Sequence, residues 1–304
     1  MTTPAKPTSG FFRARVSAVT DLTPSFRRFT LTGDALADYG DPGYDQRIKV
    51  VFPTRTVGLD AMPTGDDWYT QWRELPADTR PPFRTYTTRY VRNDAREVDI
   101  DMVAHDVLGP ASDWIARARV GDELAVFAPT TAHTGVSYGI DFVPPARTEN
   151  YLLAGDETAA PAIAVILEQL PADARGVVVL ELPHAADADY LPRHPGFEYR
   201  VAARTDGDRH AHLVQAVQDA AAHLAPEGRG ADVEEIDIDH DILWEVPRTA
   251  KGGAALKSAP LYSWLAGEAG AIKALRRHLV SVQGVDRRAI AFMGYWRLGK
   301  AETD

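Results

Sequence analysis

In the first half of the chain, hydrophobic positions recur with a period of two, in short runs separated by clusters of Gly, Pro, Asp and Thr. Residues 13–19, 26–32, 47–52, 84–91, 97–103 and 123–127 alternate in this way or are rich in β-branched side chains, which predicts six strands. One helical patch, residues 112–118, interrupts them, and the set predicts a closed antiparallel β-barrel. Residues 54–82 carry four prolines and two tryptophans without a clear period and read as a long insertion loop.

Past Pro144 and Pro145 the pattern changes. Residues 151–154 form a short apolar run, 161–170 have helical spacing, and 177–182 are a nearly continuous hydrophobic strand of the kind buried on both faces of a parallel sheet. Residues 199–203, 241–246, 262–266 and 289–295 read as further strands, and 210–224 and 269–282 as helices. Strand and helix largely alternate, which predicts a doubly wound α/β parallel sheet. The expected organisation is a disordered lead-in over residues 1–10, a β-barrel over 11–146 and an α/β domain over 147–304.

Composition narrows the chemistry. A length of 304 residues suits two cores of about 150 residues each. The absence of cysteine excludes disulfides, thiolate zinc sites, cysteine-ligated iron–sulfur clusters and a thiol nucleophile, so redox chemistry has to come from a bound cofactor. A net charge of −10 argues against broad nucleic-acid binding, which needs a basic face. No run of 18 apolar residues occurs, and the first ten residues lack the apolar core of a secretory signal, which predicts no membrane insertion and a cytoplasmic location. Neither a G-x-S-x-G elbow nor a Walker sequence is present, so hydrolase and kinase readings lack support. His210 with His212, and His184 with His194, have chelating spacings but no completing carboxylate or thiolate set, and they read as surface histidines. Asp237, Asp239 and Asp241 open like a calcium loop that lacks its glycine and closing Glu; no metal site is expected.

One strand concentrates chemistry. In Arg84-Thr85-Tyr86-Thr87-Thr88-Arg89, period two places Arg84, Tyr86 and Thr88 on one face and Thr85, Thr87 and Arg89 on the other. A flavin needs an aromatic ring against its isoalloxazine, a donor near N5 and cations for its pyrophosphate. Tyr86, Thr87 and either Arg84 or Arg89 supply those groups. By itself the segment is also an ordinary exposed strand. Further along, Gly109-Pro110 makes a turn, Ser112 is placed to cap, and a helix follows from Asp113, which offers a helix N-terminus to a phosphate.

Five ordered blocks carry a resemblance: RTYTTR at 84–89, H-x(3)-GPAS-x-W at 105–114, LLAGDETAAPAI at 152–163, YSWLAGE at 262–268 and GYWRLGK at 294–300. In that order they resemble the siderophore-interacting protein family, FAD-dependent ferric-siderophore reductases of the ferredoxin–NADP reductase superfamily. The resemblance implies an FAD-bound barrel, an NAD(P)-binding-like second domain, and electrons passed from NADH or NADPH, or from ferredoxin, through FAD to an Fe(III)-siderophore. By matching, FAD contacts Arg84, Thr85, Tyr86, Thr87, Arg89, His105, Ala111 and Ser112, and the nucleotide site draws on Asp156, Thr158, Gly267 and Glu268. Tyr295 and Trp296 supply aromatics beside the flavin, and a basic substrate pocket has Arg47, Lys49, Lys257 and Lys300 as candidates. Asp156 and Glu157 depart from the usual glycine-rich turn, and two carboxylates there repel a dinucleotide phosphate. With flavin and iron as the carriers, no side-chain acid, base or nucleophile is expected to be indispensable. Two alternatives stay open: a general NAD(P)H:flavin or quinone reductase, and a non-catalytic siderophore-binding protein.

Overall fold

The computed structural model describes residues 7–104, 109–137, 139–205, 210–225, 228, 230–231, 235–238 and 241–299. His105 and Lys300 therefore lie outside the described residues, as does half of the acidic connection over 226–241. Compact packing divides the chain between Gly139 and Ile140.

The first unit is one antiparallel sheet of seven strands: β1 (Ser9–Asp21), β2 (Phe26–Thr32), β3 (Arg47–Val51), β4 (Phe83–Thr87), β5 (Tyr90–Arg92), β6 (Glu97–Val103) and β7 (Glu123–Pro129). Their order is β4-β3-β7-β1-β2-β6-β5. β4 and β5 stand at opposite ends of that order, yet only Thr88 and Arg89 separate them in the chain. Two residues reach about 7 Å at most, so the sheet is rolled until its ends meet. Within the bend, the Thr88 N–H donates to the Gln46 carbonyl beside β3, and the Arg89 N–H donates to the Asp99 carbonyl on β6. The single strand expected over 84–91 is thus one bent length of chain whose halves serve opposite ends of the sheet. β1 begins at Ser9, which shortens the expected lead-in; residues 1–6 lie outside the described set.

Alternation explains the barrel interior. Phe12, Ala14 and Val16 from β1, Phe29 and Leu31 from β2, Ile48 and Val50 from β3, Val98, Ile100 and Met102 from β6, and Leu124, Val126 and Ala128 from β7 meet in one core. Every other residue of each strand points inward, as a half-buried sheet requires. The insertion over 54–82 is not structureless: α1 (Trp68–Glu74) forms within it. Its Trp72 is fully buried and donates its indole N–H to the Pro81 carbonyl at 2.8 Å. With Val51, Leu59, Met62, Phe83 and Ala125 it builds a second, smaller core on the outer face of the sheet. α2 (Pro110–Arg117) starts two residues before the predicted Ser112, with Pro110 in its first turn, where the missing N–H costs no hydrogen bond.

The second unit runs β8 (Arg147–Asp156), α3 (Ala160–Gln169), β9 (Gly176–Leu182), β10 (Phe197–Ala203), α4 (Ala211–Leu224), β11 (Trp244–Glu245), β12 (Ser258–Glu268), α5 (Ala269–Arg277) and β13 (Ile290–Trp296). The sheet order is β10-β9-β8-β12-β13-β11. Five strands are parallel, while β11 pairs antiparallel with β13 over two residues. The strand expected over 241–246 is therefore a short antiparallel edge and the sheet is mixed. α5 ends at Arg277 and one π-helical turn (His278–Val282) completes the helix expected over 269–282. α4 and α5 cover one face, with Leu213, Val217, Ile272 and Leu275 against Leu152, Ala154, Val177, Val179, Leu261 and Leu265. From β8 the chain first builds outward to β9 and β10, then returns to place β12 and β13 on the other side. The carboxyl ends of β8 and β12 thus flank the point where strand order reverses, the ligand position of open α/β sheets.

Candidate functional site

In the first unit the chemistry-bearing strand is β4, which pairs with β3 alone: Lys49 stands opposite Thr85, Ile48 opposite Tyr86 and Arg47 opposite Thr87. Arg84 and Tyr86 consequently share the face of Ile48 and Val50, while Thr85 and Thr87 share the other face with Lys49 and Arg47. Tyr86 is half-buried against the barrel core, with its ring 6.3 Å from Phe52. Phe52 also lies 5.4 Å from Trp114 of α2, and Ala111 touches the same core. The two segments singled out in the sequence therefore meet around Phe52. Thr85 is exposed and its hydroxyl takes a bond from the Lys49 ammonium at 2.7 Å. Arg84 is half-buried and donates to the Phe83 carbonyl at 2.6 Å, and Thr87 is buried.

Arg89 stands apart from Arg84. It is buried, its Nε lies 3.4 Å from Asp101, and its guanidinium covers the Tyr90 ring at 4.3 Å. Asp101 is also held by both arms of Arg28, at 2.7 and 2.8 Å. This is a paired internal network.

Ser112 is the third residue of α2 and reaches back to Gly109, accepting from its N–H and donating to its carbonyl, each at 3.0 Å. Among the described residues a Cβ on Gly109 would meet nothing within 4 Å. Asp113 in the first turn is engaged by Arg117 and Arg55, which hold its carboxyl below the usual range. A cavity of about 420 Å³ at the far end of α2, lined by Trp114, Arg117, Ala118, Arg119 and Asp122, was not anticipated from the sequence. A guanidinium, an aromatic ring and hydroxyls on one strand, with a helix start in the same unit, fit a flavin dinucleotide.

In the second unit three expected nucleotide residues, Thr158, Gly267 and Glu268, converge on the carboxylate of a fourth, Asp156, and Trp296, expected beside the flavin, joins them. Asp156, at the end of β8, is fully buried. Its Oδ1 accepts from the N–H of Thr158 at 2.9 Å and from that residue's hydroxyl at 2.5 Å. Its Oδ2 accepts from the Glu268 N–H at 2.9 Å and from the Trp296 indole at 2.8 Å. Burial and the neighbouring Glu157 push this carboxyl's pKa up, against the pull of Thr158 and Trp296. Gly267, at φ 148°, makes the approach possible: a Cβ there would lie 2.6 Å from Asp156 Oδ2. At Gly155 a Cβ would lie 2.1 Å from the Ala266 carbonyl oxygen. Glu268 caps α5, accepting from the Ala271 N–H at 2.9 Å and the Leu298 N–H at 3.2 Å. Tyr295 stacks on Trp244 at 5.5 Å. Lys257 is exposed and precedes β12, so the eleven-residue strand separates it from the Glu268 end.

Three further residues join this edge. Glu181, near the end of β9, is buried and lies beside Asp156 in the β8–β9 register. Arg204 follows β10, sends both terminal nitrogens to the Glu157 carboxylate, and places its Nε 3.3 Å from Glu181. His210, the residue before α4, donates its N–H to Glu181 at 3.2 Å and is buried, which corrects its reading as a surface histidine. His194 is likewise buried, with its ring bonded to Pro171 and Gly196. Burial alone would raise the Glu181 pKa, but His210 and Arg204 outweigh it and bring it to about 2. One signal was available in the sequence: an acid inside the apolar run of residues 177–182. Among the described residues no group of His, Asp and Glu could hold a metal, and no helix is long and apolar enough to cross a membrane.

A rolled antiparallel sheet followed by a doubly wound mixed sheet defines the two-domain ferredoxin-reductase-like fold. Residues 15–133 match the siderophore-interacting FAD-binding domain and residues 148–299 match the siderophore-interacting protein domain. The chain belongs to the siderophore-interacting protein family. Among solved structures it is similar to the siderophore-interacting protein SipS from Aeromonas hydrophila, at 29% identity and a TM-score of 0.67, over 97% of this chain and 95% of that one. The ferric vibriobactin reductase ViuB of Vibrio cholerae is 27% identical over 92% of this chain and 87% of its own length. The NADPH-dependent ferric-chelate reductase of Escherichia coli is 31% identical over 67% of this chain and 76% of its own.

Proposed function

We propose that the protein is an FAD-dependent ferric-siderophore reductase of the cytoplasm that draws electrons from a reduced nicotinamide nucleotide. The observation that carries this reading is the polar set on β4: Arg84 and Tyr86 half-buried on the core face and Thr85 exposed on the outer face, in the same unit as the start of α2. Tyr86 is held half-buried by the core and offers one ring face. Arg84 and the first turn of α2 bind the pyrophosphate. Thr87, at the end of the strand, provides the donor near the flavin N5. Bound FAD supplies what the polypeptide lacks, acceptance of a hydride and release of single electrons. Arg47 and Lys49, on the outer face beside Thr85, attract an anionic ferric chelate. Siderophore oxygens suit Fe(III) better than Fe(II), so reduction loosens the metal without a protein ligand.

The two reductase relatives support the assignment, as does the FAD-binding family of the first unit. The test is spectroscopic and kinetic. Purified protein is expected to be yellow or to take up FAD, to bleach anaerobically with NADH or NADPH, and to reduce a ferric hydroxamate or catecholate faster than a quinone. A colourless protein that cannot be reconstituted overturns the enzyme reading. Bleaching only with reduced ferredoxin changes the donor, and quinone turnover at least as fast as siderophore turnover replaces the substrate.

A further inference from the structure

Within the second unit, β8, α3 and β9 form the first crossover, and Glu181 sits near the carboxyl end of β9. In doubly wound nucleotide-binding sheets an acid at that strand end accepts the 2′-hydroxyl of the adenosine ribose, and a free arginine nearby accommodates a 2′-phosphate. All three contacts of Glu181 fall on Oε1, from Arg204 Nε, the His210 N–H and His210 Nδ1. Among the described residues Oε2 takes no hydrogen bond, although the side chain is 3% exposed. His210, 6% exposed at its side chain and 6.0 Å from the Trp296 ring, has neither ring nitrogen in hydrogen-bond geometry. Two buried polar groups with unused bonding capacity therefore stand together at this edge. Arg204, by contrast, is already taken: Glu157 grips both of its terminal nitrogens and Glu181 stands at the third. Its side chain is 14% exposed, and among the described residues Asp156, Glu157 and Glu181 set three buried carboxylates near this one guanidinium. A 2′-phosphate brings close to two further negative charges.

We propose that this edge reads an adenosine ribose without a 2′-phosphate, with Glu181 accepting the 2′-hydroxyl and Glu157 withholding Arg204, so that the protein selects NADH over NADPH. The inference rests on the nicotinamide-donor reading above. The FAD-loaded full chain, titrated by calorimetry with 5′-AMP and with adenosine 2′,5′-bisphosphate, tests it without turnover. The native chain is expected to bind 5′-AMP about tenfold more tightly or better, with a matching KM preference for NADH. Glu157→Gln releases Arg204 and raises bisphosphate affinity about tenfold, while 5′-AMP affinity stays within about twofold. Glu181→Gln is isosteric and weakens 5′-AMP about tenfold. Tighter bisphosphate binding by the native chain, or an unchanged ratio in both variants, overturns the selectivity alone. Binding of neither probe and oxidation of neither dinucleotide overturns the donor reading, and the selectivity with it.

Discussion

The polar groups of the two units are used in opposite ways. On β4 they stay partly open: Thr85 is exposed on the outer face, Arg84 and Tyr86 are half-buried on the core face, and among the described residues nothing crowds Gly109 at the start of α2. At the carboxyl edge of β8, β9 and β12 they face each other: Asp156 alone accepts four donors from three residues, and Glu268 spends its carboxylate on capping α5. A set left partly open waits for a ligand. An inward set fastens strand ends whose crowding calls for glycine at Gly155 and Gly267. Asp156 is fully buried and Glu157 is paired with Arg204, so the repulsion expected of them falls on a phosphate that would need Arg204.

Breaking the inward set has the largest expected effect. Asp156→Ala strands the Thr158 and Glu268 N–H groups and the Trp296 indole in a buried site, at a cost of about 3–5 kcal/mol. For a unit of this size that corresponds to a fall in Tm of about 10 °C, measurable by calorimetry. A fall below about 2 °C would show that the cluster is dispensable and end the contrast between the units.

Acid sharpens the same comparison by a smaller amount. The folded pKa of Glu181, about 2, lies below its ordinary value of 4.5. Its stabilising contribution is therefore complete above about pH 5 and is lost as pH falls toward 2. Asp156 acts in the opposite sense, since its raised pKa makes protonation favour the folded form. Glu181→Gln should lower stability at pH 7 and flatten the acid limb by about 1–2 kcal/mol between pH 7 and pH 3, followed by urea midpoints. Parallel pH profiles for variant and native protein would deny Glu181 this role.

Legibility followed locality. β2 and β6 match the expected residues at both ends because each has one buried face and strict alternation. The short helix α1 went unread, although Trp68, Trp72 and Leu75 stand at i, i+4 and i+7, because neighbouring prolines obscured seven residues of period. For β11 an apolar run could not reveal that only two residues pair, and antiparallel. The candidate flavin residues were legible because one strand and one helix start carry them. Glu181, Arg204 and His210 come from the ends of β9 and β10 and the start of α4, and only the parallel sheet gathers them. Asp156, Thr158, Gly267, Glu268 and Trp296 were found as separate motifs, but that a single carboxylate fastens them depends on β8, β12 and β13 ending side by side.

The smallest energetic effect carries the most functional weight. Arg84 is half-buried, donates to the carbonyl of its own neighbour Phe83, and stands on a strand that pairs with β3 among the described residues. Its loss should leave stability within about 0.5 kcal/mol, the ordinary range for a residue outside the core network. FAD affinity should nevertheless fall about tenfold, the worth of one charge-assisted contact to a phosphate. Tyr86→Ala separates the two effects, because that ring packs against the barrel core and its loss should lower both stability and FAD retention. Fluorescence titration with FAD beside a melting curve distinguishes them: Arg84→Ala moves only the first, Tyr86→Ala moves both. If Arg84→Ala left the flavin affinity unchanged while lowering the melting temperature, β4 would be a structural strand and no ligand site.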